Sequence, residues 1–157
     1  ENSYIIYLLQ PYYKNFSKRI IKSPKLYFYD TGLLSNLLKI NDISKISNQS
    51  IKGALFENMV ISEYVKQINH KSMRHIDPWF WRDSHGNEVD LLLEKSQHAE
   101  IVEIKSTGTV IPDLFKGLNY FSDLMKDDNL EKTLVYGGSE NQQRKAGRVV
   151  SWKEFLL

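Results

Sequence analysis

The sequence predicts an α/β (α+β) fold: helix, three strands, helix, strand, with a mixed central sheet flanked by helices. Three observations predict it. Residues Ala54 to Asn69 repeat apolar side chains at helical spacing. Three short segments follow, Trp79–Arg82, Glu88–Glu94 and Glu100–Lys105, joined by tight connections that include Gly86-Asn87, so they read as antiparallel neighbours. The stretch PDLFKGLNYFSDLMKD then supplies a second amphipathic helix, ahead of a fourth strand, Lys132–Tyr136, that stops at Gly137-Gly138.

In chain order, Tyr4–Leu9 reads as a helix end or a strand. Short extended pieces are expected around Tyr12–Phe16, Arg19–Ile21 and Lys25–Tyr29, punctuated by Pro11 and Pro24. Asp30-Thr31-Gly32 has the chemistry of an N-cap for a short helix, Leu33–Leu38. The polar, turn-prone KINDISKISNQS marks a boundary, with residues 1–45 on one side and 46–157 on the other. Pro112 and Asp113 open the second amphipathic helix, whose apolar stripe is Leu114, Leu118, Phe121 and Met125. Glu140–Arg148 reads as an exposed loop, and Arg148–Trp152 as a last extended segment.

With 157 residues and a 41% hydrophobic share, the chain is long and apolar enough to bury a core. It has no cysteine, which excludes disulfides and thiolate metal sites, and the expected setting is cytoplasmic. No apolar run is long enough to span a bilayer. The chain opens Glu-Asn-Ser without an initiator Met and is expected to be a piece of a longer protein. Its net charge of +2 is unevenly spread. Residues 1–52 hold eight Lys/Arg against three acidic residues, whereas 53–157 hold thirteen against sixteen, so two surfaces with different partners are expected.

Five polar residues, Glu57, Glu88, Asp90, Glu103 and Lys105, stand out because they sit among residues that should be buried. At about 100° per residue, Phe56, Val60, Ile61, Tyr64 and Ile68 fall on one arc of the first long helix, and Glu57 projects into its middle. A carboxylate there needs an ion-pair partner, hydrogen bonds or a metal. Alternation along the strands puts Glu88 with Asp90 on one face and Glu103 with Lys105 on one face. If those strands pair as a hairpin, Asp90 and Glu103 converge under the helix that carries Glu57. Such an oxygen-only set suits a hard divalent ion, Mg²⁺ or Mn²⁺, with Lys105 as the acid/base or electrostatic group. A ladder of cross-strand salt bridges explains the same spacing, and on spacing alone both readings stand.

The order Glu57, Asp90 and Glu103-Ile104-Lys105 resembles the PD-(D/E)XK nuclease superfamily. The segments SPKLYFYDTGLLSNLL, GALFENMVISEYVK, FWRDSHGNEVDLLLE and VEIKST resemble one branch of it more closely, the uncharacterised C-terminal domain of bacterial AAA-type ATPases. That resemblance implies a restriction-endonuclease-like core, Mg²⁺-dependent hydrolysis of nucleic acid, DNA foremost, and an ATPase portion of the parent chain as partner. It implies Asp90, Glu103 and the main-chain carbonyl of Ile104 as metal ligands, Lys105 as catalytic lysine, and Glu57 orienting a second metal or a water. One departure is Val89, where the pattern has proline. Residues 1–29 resemble the last strands and wing of a winged helix. A binding module without chemistry is the alternative, and self-association is left open.

The front of the chain interleaves Lys14, Lys18, Arg19, Lys22 and Lys25 with Tyr12, Tyr13, Phe16 and Tyr27, a pattern suited to phosphate tracking and base stacking. A solvated basic face, or a docking surface for the ATPase portion, is the alternative, and the winged-helix resemblance favours nucleic acid.

Overall fold

The computed structural model describes residues 4–13, 21–40, 42, 46, 48–70, 76–95, 98–127 and 129–157. The elements run β1 (Ile6–Leu9), β2 (Lys25–Phe28), α1 (Thr31–Leu37), α2 (Gln49–His70), β3 (Asp77–Arg82), β4 (Glu88–Glu94), β5 (Ala99–Lys105), a 3-10 turn (Pro112–Phe115), α3 (Lys116–Met125), β6 (Leu130–Tyr136), β7 (Gln142–Arg144), β8 (Gly147–Ser151) and α4 (Trp152–Phe155). The six later strands form one mixed sheet in the order β3-β4-β5-β6-β8-β7. Its β3–β4–β5 part is antiparallel, β5–β6 and β6–β8 are parallel, and β7–β8 is an antiparallel hairpin. The parallel β5–β6 pair requires a crossover, which α3 provides, so the two long helices end on opposite faces.

Each face has its own core. Val60, Ile61, Val65 and Ile68 of α2 pack with Leu91, Leu93, Val102 and Ile104. Leu118 and Phe121 of α3 pack with Val89, Leu92, Ile101 and Leu134. The N-terminal hairpin β1–β2 adds Tyr7, Leu9 and Tyr27 to the α2-side core. The chain after β1 runs beside the sheet edge, with a parallel bridge between Pro11 and Phe80 and a Tyr12 N–H to Phe80 C=O bond of 2.7 Å.

Asp30 caps α1 as its chemistry predicts, accepting from Leu33 N–H at 3.0 Å. The helix starts at Thr31, two residues before the sequence expectation, because the capped turn itself is helical. α2 starts five residues before Ala54, where Asn48 Oδ1 accepts from Ser50 N–H at 2.9 Å. Glu140–Arg148 is not a loop throughout. It contributes β7, whose polar side chains hide the strand from a hydrophobicity reading, and Arg144 pairs with Gly147 across the tight turn.

Candidate functional site

The site forms where β4 and β5 part company. Their ladder pairs Leu91 with Val102 and Leu92 with Ile101, and counting one step further sets Asp90 opposite Glu103. No rung forms there. Asp90 Oδ2 instead accepts the Ile104 N–H at 2.8 Å, capping the place where the strands diverge. In a strand, a residue's N–H and C=O point to the same edge, so the Ile104 carbonyl faces the Asp90 side as well.

A bulge on the other flank of β4 prepares this arrangement. Trp79 stands opposite Leu92, but Trp81 stands opposite Val89, so two β4 residues, Asp90 and Leu91, oppose Phe80 alone. The packing records the change of face: Val89 belongs to the α3-side core and Leu91 to the α2-side core, although strict alternation would put them together. A bulge re-aims side chains in this way. Simple alternation, which would bring Asp90 and Glu103 onto one face beneath α2, is therefore not how they meet. Glu103 arrives from the α3 side, where its Oε2 lies 3.4 Å from the position a Cβ would take at Gly117. That glycine lets α3 approach, because the same Cβ would stand 2.5 Å from the Glu88 carbonyl oxygen.

Two ammonium groups thread the carboxylates. Lys105 Nζ lies 2.5 Å from Glu103 Oε1 and 3.9 Å from Asp90 Oδ2. Lys25 Nζ, from β2, lies 2.9 Å from Glu57 Oε1, touches Glu88 Oε1, and is 4.0 Å from Asp90 Oδ1. Tyr27, two residues along β2, donates its hydroxyl to Glu57 Oε1 at 2.6 Å. Arg82 Nε reaches Glu88 Oε2 at 3.4 Å from a more exposed position. Oxygens of Glu57, Glu88 and Asp90 all lie within 4.8 Å of one another. Asp90 is the hinge of the cluster, facing Lys105 with one oxygen and Lys25 with the other.

The electrostatics are unbalanced toward negative charge. Asp90 is 5% exposed. Burial first, then the charges of Glu103 and Glu57, push its carboxyl well above the usual range, and Lys105 and Lys25 do not cancel the effect. Burial also raises Glu103, against the opposing pull of Lys105. For Lys105 burial acts downward, yet Asp90 and Glu103 outweigh it and hold its proton more tightly than usual. Lys25 behaves likewise, with Glu57 and Asp90 overcoming its desolvation. Glu103 Oε2 is buried without a hydrogen-bond partner among the described residues. A buried acceptor left unmatched beside an open cleft fits a cation with oxygen preference. The cleft, about 480 Å³, is lined by Glu57, Glu88, Asp90, Glu103, Lys105 and Gly117 among others. A neighbouring cleft of about 470 Å³ shares Glu57 and Lys105 and runs past Ser50 and Gly53 at the start of α2.

The structure thus brings together Glu57, Asp90, Glu103, Ile104 and Lys105, which the sequence singled out. Of the basic residues read as phosphate contacts, Lys14, Lys18 and Arg19 lie outside the described residues. Lys22 is exposed, with its carbonyl accepting from Tyr13. Lys25 points its ammonium at carboxylates rather than at solvent. Glu88, Tyr27 and Gly117 are site residues that the motif reading passed over. Glu88 was within reach, since it shares a strand face with Asp90. Nothing local signals that Lys25 and Tyr27 will meet Glu57.

Residues 52–155 match the family described as Domain of unknown function (DUF4143). The chain belongs to the DUF4143 family. Residues 1–44 match a second family, Domain of unknown function (DUF8612). The chain is similar to an uncharacterized protein of Mycobacterium bovis and to one of Mycobacterium tuberculosis, each 32% identical over 105 residues. Those matches cover 67% of this chain but 23% of either relative. No solved structure matches. All four carboxylates and Lys105 lie in the DUF4143 part, while Lys25 and Tyr27 come from the DUF8612 part. No described helix is long and apolar enough to cross a membrane.

Proposed function

We propose that this DUF4143 domain is a PD-(D/E)XK-type phosphodiesterase that hydrolyses nucleic acid, DNA foremost, with Mg²⁺ or Mn²⁺, in the service of an ATPase portion of its parent chain in the bacterial cytoplasm. The observation that carries this reading is the buried, unmatched Glu103 Oε2 beside Asp90 and Lys105. Asp90, Glu103 and the Ile104 carbonyl would hold the ion, which when bound supplies positive charge to the phosphate and acidifies a water. Lys105, in contact with Glu103 and 3.9 Å from Asp90, would serve beside the ion as the acid/base or electrostatic group. Glu57, whose Oε1 is held by Tyr27 and Lys25, is oriented toward the same cleft and positions water.

One observation favours a second reading, a module that grips nucleic acid or protein without chemistry: Lys25 already neutralises part of the acidic cluster. Titration of Mn²⁺ by calorimetry, with Asp90→Ala beside the unaltered chain, separates the two. Hydrolysis predicts saturable binding that Asp90→Ala removes, and Mn²⁺-dependent cleavage of DNA that falls about 10²–10³-fold in Lys105→Ala with the fold kept. Absence of binding in the unaltered chain leaves the binding module.

A further inference from the structure

We propose that the Lys25 ammonium is the built-in cation of the Glu57–Glu88–Asp90 carboxylates, so that the chain loads one divalent ion where its four carboxylates would otherwise hold two. This rests on the metal reading above and deepens it by assigning the second cation position to a side chain.

The geometry divides at Asp90. On one side Oδ2 meets the Ile104 N–H and Lys105, next to Glu103. On the other side Oδ1 faces Lys25, with Glu57 and Glu88. The oxygens of Glu57, Glu88 and Asp90 lie within 4.8 Å of one another, a spacing that one cation can span. The Lys25 ammonium already spans it, 2.9 Å from Glu57, in contact with Glu88 and 4.0 Å from Asp90. It also lies 5.5 Å from the centre of the Phe80 ring, whose face favours a cation.

Its stem is held in place from below. Lys25 pairs with Leu9 in the β1–β2 ladder, and Tyr27 on the same strand binds the same Glu57 oxygen. A tethered ammonium meets these carboxylates at a high effective concentration. A hydrated divalent ion must shed water and expel that ammonium to take the same oxygens. On the Asp90–Glu103 side the Lys105 ammonium contacts Glu103 Oε1 and lies 3.9 Å from Asp90 Oδ2, but it leaves Glu103 Oε2 unmatched, so an acceptor stays open to an ion there. Because Lys25 lies in the DUF8612 match and the carboxylates in the DUF4143 match, the N-terminal hairpin decides how many ions the DUF4143 site takes.

The test counts Mn²⁺ ions per chain in residues 1–157, by calorimetry and by electron paramagnetic resonance of the free ion. The unaltered chain and Lys25→Arg are expected to bind one, Lys25→Met two, and the double variant Lys25→Met/Glu88→Gln one again. Glu88→Gln alone still binds one ion. Two ions in the unaltered chain, one ion in a folded Lys25→Met when the unaltered chain also binds one, or loss of the ion in Glu88→Gln each overturn the assignment. The last of these needs no substitution of Lys25 and so decides the matter should Lys25→Met fail to fold. Failure of the metal reading looks different. No ion in the unaltered chain with one in Lys25→Met sinks the Asp90–Glu103 site but upholds Lys25, and no ion in either protein overturns both.

Discussion

The two ends of the β4–β5 hairpin carry buried carboxylates with opposite fates. At the turn end Glu100 is 5% exposed, and both its oxygens are matched, by Lys95 Nζ at 2.6 Å and by Thr133 Oγ1 at 2.6 Å. At the open end Asp90 is also 5% exposed, yet it stands against three other carboxylates that share two ammonium groups. Asp83, fully buried in the β3–β4 connection, repeats the first pattern. Burial acts upward on it, but hydrogen bonds from Asn87, His85 and Tyr120 hold its carboxyl below the usual range. Equal burial therefore does not mark a site. What marks it is an excess of acceptor and charge over the donors supplied.

The sharpest way to break this contrast is to delete the satisfied end. Glu100→Ala strands the buried Thr133 hydroxyl and releases Lys95, and should cost about 3 kcal/mol in urea unfolding. Mn²⁺ binding should be unchanged, since no group at the open end contacts Glu100. If the same variant also lost the ion, the two ends would not be independent.

A smaller loss is expected at Gly117. A methyl there stands 2.5 Å from the Glu88 carbonyl oxygen, so α3 must move out or the β4 backbone must yield. Overpacking of this kind costs about 1–3 kcal/mol, against a helix-propensity gain of about 1 kcal/mol. Gly117→Ala should therefore lose about 1 kcal/mol on balance and weaken Mn²⁺ binding through Glu103. A net gain in thermal stability would show that the helix is not held close for the sake of the site.

A change of similar size has the opposite sign. Asp90 binds its proton more tightly folded than unfolded, so its contribution is favourable at low pH. That contribution is lost as pH rises from about 4 through the raised value, because the folded state then holds the extra proton in that window. Glu103 adds to the same trend. Without metal, Asp90→Asn should keep an acceptor for Ile104 N–H, flatten this decline and gain about 1 kcal/mol near neutral pH. Thermal melts from pH 4 to 8 in a chelator check it. A destabilised Asp90→Asn across that range would mean that the negative charge is already compensated, as at Glu100.

Much of the fold is legible in the chain. The 3.6-residue repeats that place Val60 and Ile61 on one helix, and Leu118 and Phe121 on another, report elements that each bury a single stripe. Asp30 reads as a cap because its short acceptor satisfies a free N–H. β7 escapes because an edge strand of Gln and Arg looks like a loop, and its identity depends on β8 lying beside it. At the site, Glu57, Asp90, Glu103 and Lys105 are legible as polar residues in apolar company, and Glu88 could have joined them by alternation. Lys25 could not: its neighbours predict an exposed basic strand, and only the packing of β2 on α2 turns it toward Glu57.

The sequence by itself determined α1 to α3, the segments of β3 to β6 and the surplus of acidic groups, because periodicity and residue chemistry act over a few neighbouring residues. Tertiary structure alone decided how those acids meet. The extra residue at Asp90–Leu91 exists only against β3, the unmatched Glu103 oxygen only against α3, and the ammonium among the carboxylates only because the paired strands β1 and β2 dock on the later core. Each is a relation between segments distant in the chain, set by register and close packing, which a local pattern does not carry.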